Sequence, residues 1–159
     1  MNLFVRTLIG MISLTIGIGG QGWAQTADEL EASGLAHFRK AYYEALPKKT
    51  SEAADEFRKA EAALRKAIRQ NPERISAYRH LGRALFVQEK YREAAAVYGE
   101  ALAIDPANKP LYLQLASARE MAKDYAGAVA ALEQLRAMEK DPQAVRTVDE
   151  LISRMRSRQ

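Results

Sequence analysis

The side chains able to do acid–base, metal or nucleophilic chemistry are few and dispersed. The chain holds two histidines, His37 and His80, and no cysteine. A metal site built on those histidines would need further ligands at helical spacing, and neither His-x3-His nor Glu-x2-His occurs. The lack of cysteine excludes a thiolate ligand, a disulfide framework and a thiol nucleophile. No glycine-rich phosphate loop is present, since Gly99 and Gly127 stand singly. The serines lie in no nucleophile motif. Acid–base catalysis needs carboxylates in a dry cleft with displaced pKa, whereas here they are scattered among bases. The expectation is a protein that is not an enzyme, with no cofactor and no metal. One group of residues suits recognition instead. Arg79 and Arg83 lie one helical turn apart with Phe86 beside them. A pair of guanidinium forks next to an aromatic suits a carboxylate, either an acidic side chain or a peptide C-terminus. The competing reading is a solvated face that pairs with Glu120 on the next helix.

The 159 residues are 28% charged and 48% hydrophobic, as in one soluble domain. The net charge of +4 comes from interspersed signs, without the clustered basic face that nucleic acid would require. The one basic cluster is Arg154, Arg156 and Arg158. It reads as a set of cations complementing a helix C-terminus, in preference to contact with an anionic surface.

The first 24 residues differ in composition. Arg6 is their only charge, Thr7 to Gly20 is an uncharged, largely apolar run, and Gly22-Trp23-Ala24 puts small residues at −3 and −1 of a cleavage site. That is the layout of a secretory signal peptide. The run is short for a membrane span, which needs about 20 apolar residues. The expectation is export to the periplasm of a Gram-negative-type cell, with the mature chain beginning at Gln25. The alternative is an uncleaved anchor facing the periplasm, and only that alternative brings membrane contact.

Downstream, nearly everything reads as helix. Thr26 and Glu29 form a capping box for a helix carrying Leu30, Gly34, Leu35, Phe38, Ala41, Tyr42 and Ala45, stopped by Pro47. Thr50 or Ser51 caps a second helix reaching about Gln70, with Glu61 and Arg65 in the favourable i, i+4 order. Helices over 74–88, 91–104, 109–122 and 125–139 follow, with Asn108 as the cap of the third of these. Asp141 caps a last helix beginning at Pro142. No segment alternates as a strand would.

Two of these segments repeat. Tyr78, Leu81, Ala84, Tyr91, Ala94, Ala96 and Ala103 recur 34 residues later as Tyr112, Leu115, Ala118, Tyr125, Ala128, Ala130 and Ala137. With Gly82 as position 8, Tyr78, Leu81 and Leu85 fall at 4, 7 and 11, one face of a helix. Tyr91, Ala94, Tyr98 and Ala101 fall at 17, 20, 24 and 27, one face of the next. Small residues oppose large ones, so two helix backbones can approach closely. Tyr78, Tyr91, Tyr98, Tyr112 and Tyr125 are assigned to packing and not to ligand stacking.

This pattern resembles the tetratricopeptide repeat. Residues 75–108 match at nearly every defining position. In 109–141 Arg119 replaces the large residue of position 11 and the closing proline comes late, as Pro142. Upstream, Gly34, Ala60, Leu64, Ala67 and Pro72 match a first repeat over 25–73, but Gly34 and Ala60 are 26 apart where Gly82 and Ala94 are 12 apart. That leaves an insertion of 14, expected as an elongated hairpin. The resemblance implies an all-α, right-handed superhelical stack of antiparallel helix pairs, capped by the helix over 142–158.

The resemblance further implies that the first helix of each pair lines a concave groove. Arg79, His80, Arg83 and Phe86 would face it, as would Leu113, Gln114, Ser117 and Glu120, and, from the first repeat, Phe38, with Glu31, Leu35 and Arg39 beside it. Phe38 and Phe86 could instead be packed by neighbouring helices. The function expected is a scaffold or adaptor holding a peptide or protein partner, one with an acidic group, and not nucleic acid. The alternative is a self-assembling unit that forms homo-oligomers through exposed Val148, Leu151 and Ile152.

Overall fold

A computed structural model describes residues 25–46 and 51–158. The proposed signal segment and the Pro47 break lie outside the described residues. Seven α-helices follow in order: α1 (Ala27–Arg39), α2 (Ser51–Gln70), α3 (Ile75–Val87), α4 (Tyr91–Ile104), α5 (Lys109–Met121), α6 (Tyr125–Met138) and α7 (Pro142–Arg156). Each packs on its neighbours in sequence, and α1 also touches α3. Among the described residues there is no strand, and no helix is long and apolar enough to cross a membrane.

The helix starts follow local chemistry. The Thr26 hydroxyl accepts from Glu29 N and the Glu29 carboxylate accepts from Thr26 N, closing the capping box. Asp124 and Asp141 cap α6 and α7 through Gly127 N and Ala144 N. Asn108 is a correction. It precedes α5 but caps no amide; its side-chain nitrogen donates to Asp105 Oδ2 at 3.0 Å. The turns inside the second and third pairs are closed by Glu89 and Lys123, both with φ of 62°. Backbone there is left-handed, a region that disfavours residues with a Cβ.

Small-against-large packing sets the spacing of the stack. A Cβ on Gly82 would collide with the Tyr98 ring, and one on Gly34 would sit 2.6 Å from Leu64 Cγ. Leu64 stands 34 residues before Tyr98, so the first pair reproduces the contact of the second. The insertion therefore leaves the register of the repeat intact. Its residues extend the helices: α1 continues through a π-helical segment, Lys40–Ala45, and α2 is 20 residues long, against 13 to 14 for α3 to α6. The extension has its own core, Phe38, Ala41, Ala45, Ala53, Phe57 and Ala60, resting on Ala84 of α3. The main core runs from Leu64 through α3–α6 to Val148, Ile152 and Met155 of α7.

That last packing corrects the self-assembly surface expected on α7. Val148 and Ile152 are buried against the core and Leu151 is partly buried. An amphipathic helix at the end of an open stack turns its apolar stripe inward, because the preceding pair otherwise leaves its own stripe wet.

Candidate functional site

The residues assigned to the groove lie on α1, α3 and α5, the first helices of the three pairs. On α3 Arg79 and Arg83 are both exposed. Neither makes an ion pair with any described residue. The Arg83 guanidinium lies 5.2 Å from the centroid of the Phe38 ring, a cation–π contact. This arrangement settles the place of Phe38: it is buried in the core under Arg83, stacked on Tyr42 and edge-on to Phe57. The expectation of a groove contact from Phe38 is thus corrected. The inserted helical turns supply Tyr42 and the α2 ring that cover it. Phe86 is half-buried, edge-on to Tyr91 at 5.2 Å.

His80 is partly exposed, with Nε2 3.5 Å from Glu31 Oε1. Glu31 is buried on α1 and is also held by Arg74, which reaches Asp28 as well. Burial lowers the His80 pKa, opposed by Glu31 and reinforced by Arg79 and Arg83. At neutral pH the ring is therefore uncharged.

On α5 Leu113 and Met121 are large apolar side chains left 46% and 47% exposed. Ser117 is exposed, while the buried Gln114 Oε1 has no donor. Glu120 does not pair with Arg79 or Arg83. Its two oxygens are taken by Arg154 at 3.4 Å and Arg158 at 3.0 Å, both from the C-terminal end of the chain. Sequence reasoning placed those arginines at a helix end but not against the groove. The signal that could have found them is their recurrence at helical spacing on the face of α7 next to Leu151. A hollow of about 120 Å³ lined by Leu113, Ser117, Glu120, Leu151 and Arg154 shows that α7 helps to build the groove as well as closing the stack.

The groove thus combines exposed apolar side chains with guanidinium groups in excess. Arg39, Arg79 and Arg83 lack counter-charges among the described residues, and two arginines share Glu120. Such a surface can receive an extended chain carrying carboxylates. Among the described residues no group of three or more His, Cys, Asp or Glu is arranged to hold a metal.

Residues 85–148 match the tetratricopeptide repeat family. The fold is a tetratricopeptide-repeat solenoid. The TPR2B domain of yeast Sti1, in a complex with pHsp70, superposes with a TM-score of 0.63 at 23% identity, covering 84% of this chain and 98% of that one. The Arabidopsis OM64 TPR domain superposes at 0.59 with 19% identity, covering 82% and 94%. The Sgt2 TPR domain from Aspergillus fumigatus gives 0.56 at 22%, covering 85% of each. No curated protein matches the chain. Tetratricopeptide solenoids act in general as protein-interaction modules that present a concave surface to a partner.

Proposed function

We propose that this chain is a non-enzymatic interaction module of the periplasm that holds an acidic peptide segment of a partner protein in its groove. The observation that carries the reading is the pair Arg79 and Arg83: two exposed guanidinium groups, one turn apart, with no carboxylate of the chain's own to meet them. Leu113 and Met121 add apolar contact area further along, and Glu120 is already neutralised by Arg154 and Arg158. The complex of yeast Sti1 with pHsp70 is a precedent for partner capture on this fold. Export rests on the N-terminal layout alone: an uncharged, largely apolar run of signal-peptide length and small residues at Gly22 and Ala24.

Two measurements test this. Capture from an envelope extract, with identification of the bound segment by mass spectrometry, is expected to return a segment rich in Asp or Glu that competes with a synthetic acidic peptide. Capture of a basic or uncharged segment would contradict the groove assignment. For export, the intact mass is expected to begin at Gln25, and the protein to lack tryptophan fluorescence, because Trp23 is the only tryptophan. A full-length mass in envelope fractions would instead establish the anchored form.

A further inference from the structure

The helix pairs meet at three junctions, and only one of them is left open. At the first junction Glu61 of α2 accepts from Lys90 Nζ at 3.0 Å and from Arg65 at 3.0 Å, and Arg65 also approaches Glu93 at 3.6 Å. At the last junction Glu133 of α6 accepts from Arg156 of α7 at 2.7 Å, and Arg136 pairs with Asp149. Side chains and ion pairs of the chain itself fill both places.

Moving 34 residues on from the first junction replaces each of its parts. Ala95 stands where Glu61 was, Gly99 where Arg65 was, Arg119 where Leu85 was, and Asp124 where Lys90 was. The bridging carboxylate and the large apolar residue are both gone. What remains is a cleft of about 510 Å³ lined by Arg92, Ala95, Gly99, Arg119, Lys123 and Asp124. A Cβ on Gly99 would meet nothing, so the floor is open. Arg119 is held in place: Nη1 donates to Gly127 O at 2.8 Å and Nε lies 3.8 Å from Asp124 Oδ2. A guanidinium has five N–H donors, so others stay free. Arg92 and Lys123 form no ion pair with any described residue. Asp124, the only carboxylate lining the cleft, already accepts from Gly127 N. Three cations thus face one committed carboxylate, in a space that holds a carboxylate of the chain in the preceding repeat.

We propose that this cleft is a second recognition site, separate from the groove, that takes a carboxylate supplied from outside the chain. The incoming group occupies the place of Glu61, with Arg119 as the fixed donor and Arg92 and Lys123 closing on it. The site shares no residue with the groove, so it stands whether or not the groove reading does. A carboxylate can arrive on an acidic side chain of a partner or on a small polycarboxylate, and the two sources separate by experiment.

The test is amide chemical-shift titration of the ¹⁵N-labelled full chain at constant ionic strength. The probes are triglutamate peptide and citrate, with chloride as the reference salt. Saturable shifts at Gly99, Lys123 and Gly127 are expected. Tighter saturation by triglutamate assigns the site to a protein partner, and tighter saturation by citrate to a small polycarboxylate. Ala95→Glu restores the internal carboxylate and is expected to weaken the probe by about tenfold or more, the worth of one charge-assisted contact. Arg92→Gln with Lys123→Gln, both on the surface, is expected to do the same if Ala95→Glu packs poorly. Shifts that never saturate, that chloride reproduces, or that persist unchanged in both variants overturn the proposal.

Discussion

The first and second helix pairs pack by the same rule and differ in what they do with charge. In both, a glycine of the first helix lies against a large side chain of the second, Gly34 on Leu64 and Gly82 on Tyr98. In the first pair the buried carboxylates are fully engaged. Glu31 is held by Arg74 and His80, and Glu56 by His37 at 2.6 Å, Lys59 at 2.9 Å and Lys40 at 3.3 Å. In the second pair Arg79 and Arg83 are exposed and unpaired. Burying a charge without partners costs several kcal/mol, so charges inside the stack are closed locally. An exposed charge carries no such penalty and is free to meet a partner. The difference separates the part of the repeat that holds the fold from the part that faces the groove.

The packing half of the comparison carries the largest expected effect. Gly82→Ala forces a methyl group into the buried Tyr98 ring, and overpacking of this kind costs about 1–3 kcal/mol. Gly99→Ala, on the next helix and facing empty space, is expected to stabilise by about 0.5–1 kcal/mol through helix propensity alone. Thermal unfolding of the two variants checks both signs. Equal effects would break the small-against-large account.

The charge half appears as pH dependence. Lys59 first, then His37 and Lys40, hold the Glu56 carboxyl at about 2 against the opposing effect of burial. Its unfolded value is 4.5, so the folded state binds this proton less readily. The stability it contributes is present above pH 4.5 and is lost as pH falls toward 2. His80 is also lowered in the folded state, so stability begins to fall once the pH drops below 6.5, where the unfolded chain takes up the proton first. Denaturant titrations across pH should show both limbs. His80→Gln is expected to remove the upper one and Glu56→Gln the lower. An anion bound at Arg79 and Arg83 cancels part of the repulsion on His80, so acidic ligands are expected to bind more tightly as the pH falls.

A smaller effect lies in the turns. Glu89 holds a left-handed backbone without being glycine. Glu89→Gly is expected to gain about 0.5–1 kcal/mol, the relief of the Cβ strain less the added flexibility of the unfolded chain. A loss of stability would show that the Glu89 side chain makes a contact worth more than the strain.

Much of this fold was legible in the sequence, and the reasons are particular. Gly34, Gly82, Leu64 and Tyr98 announce themselves because close helix approach demands a small residue opposite a large one at fixed separation. Thr26 with Glu29 and Asp141 with Ala144 are local pairs, read without tertiary knowledge. Asn108 failed because Asp105 offered its amide a competing partner three residues away. Glu89 and Lys123 gave no signal, since nothing in their type marks a left-handed turn. The site was less legible. Phe38 looks like a groove residue until the inserted turns bring Tyr42 and Phe57 over it. Glu120 looks free until α7 folds back with Arg154 and Arg158, and that register depends on how Val148 and Ile152 bury.

The most direct test of the central claim joins stability to binding in one variant. Arg79→Glu with Arg83→Glu should abolish partner capture while shifting stability by no more than about 0.5–1 kcal/mol, the worth of the Arg83 contact on Phe38. Capture retained in a variant whose stability has collapsed would place these arginines in the fold and contradict the account.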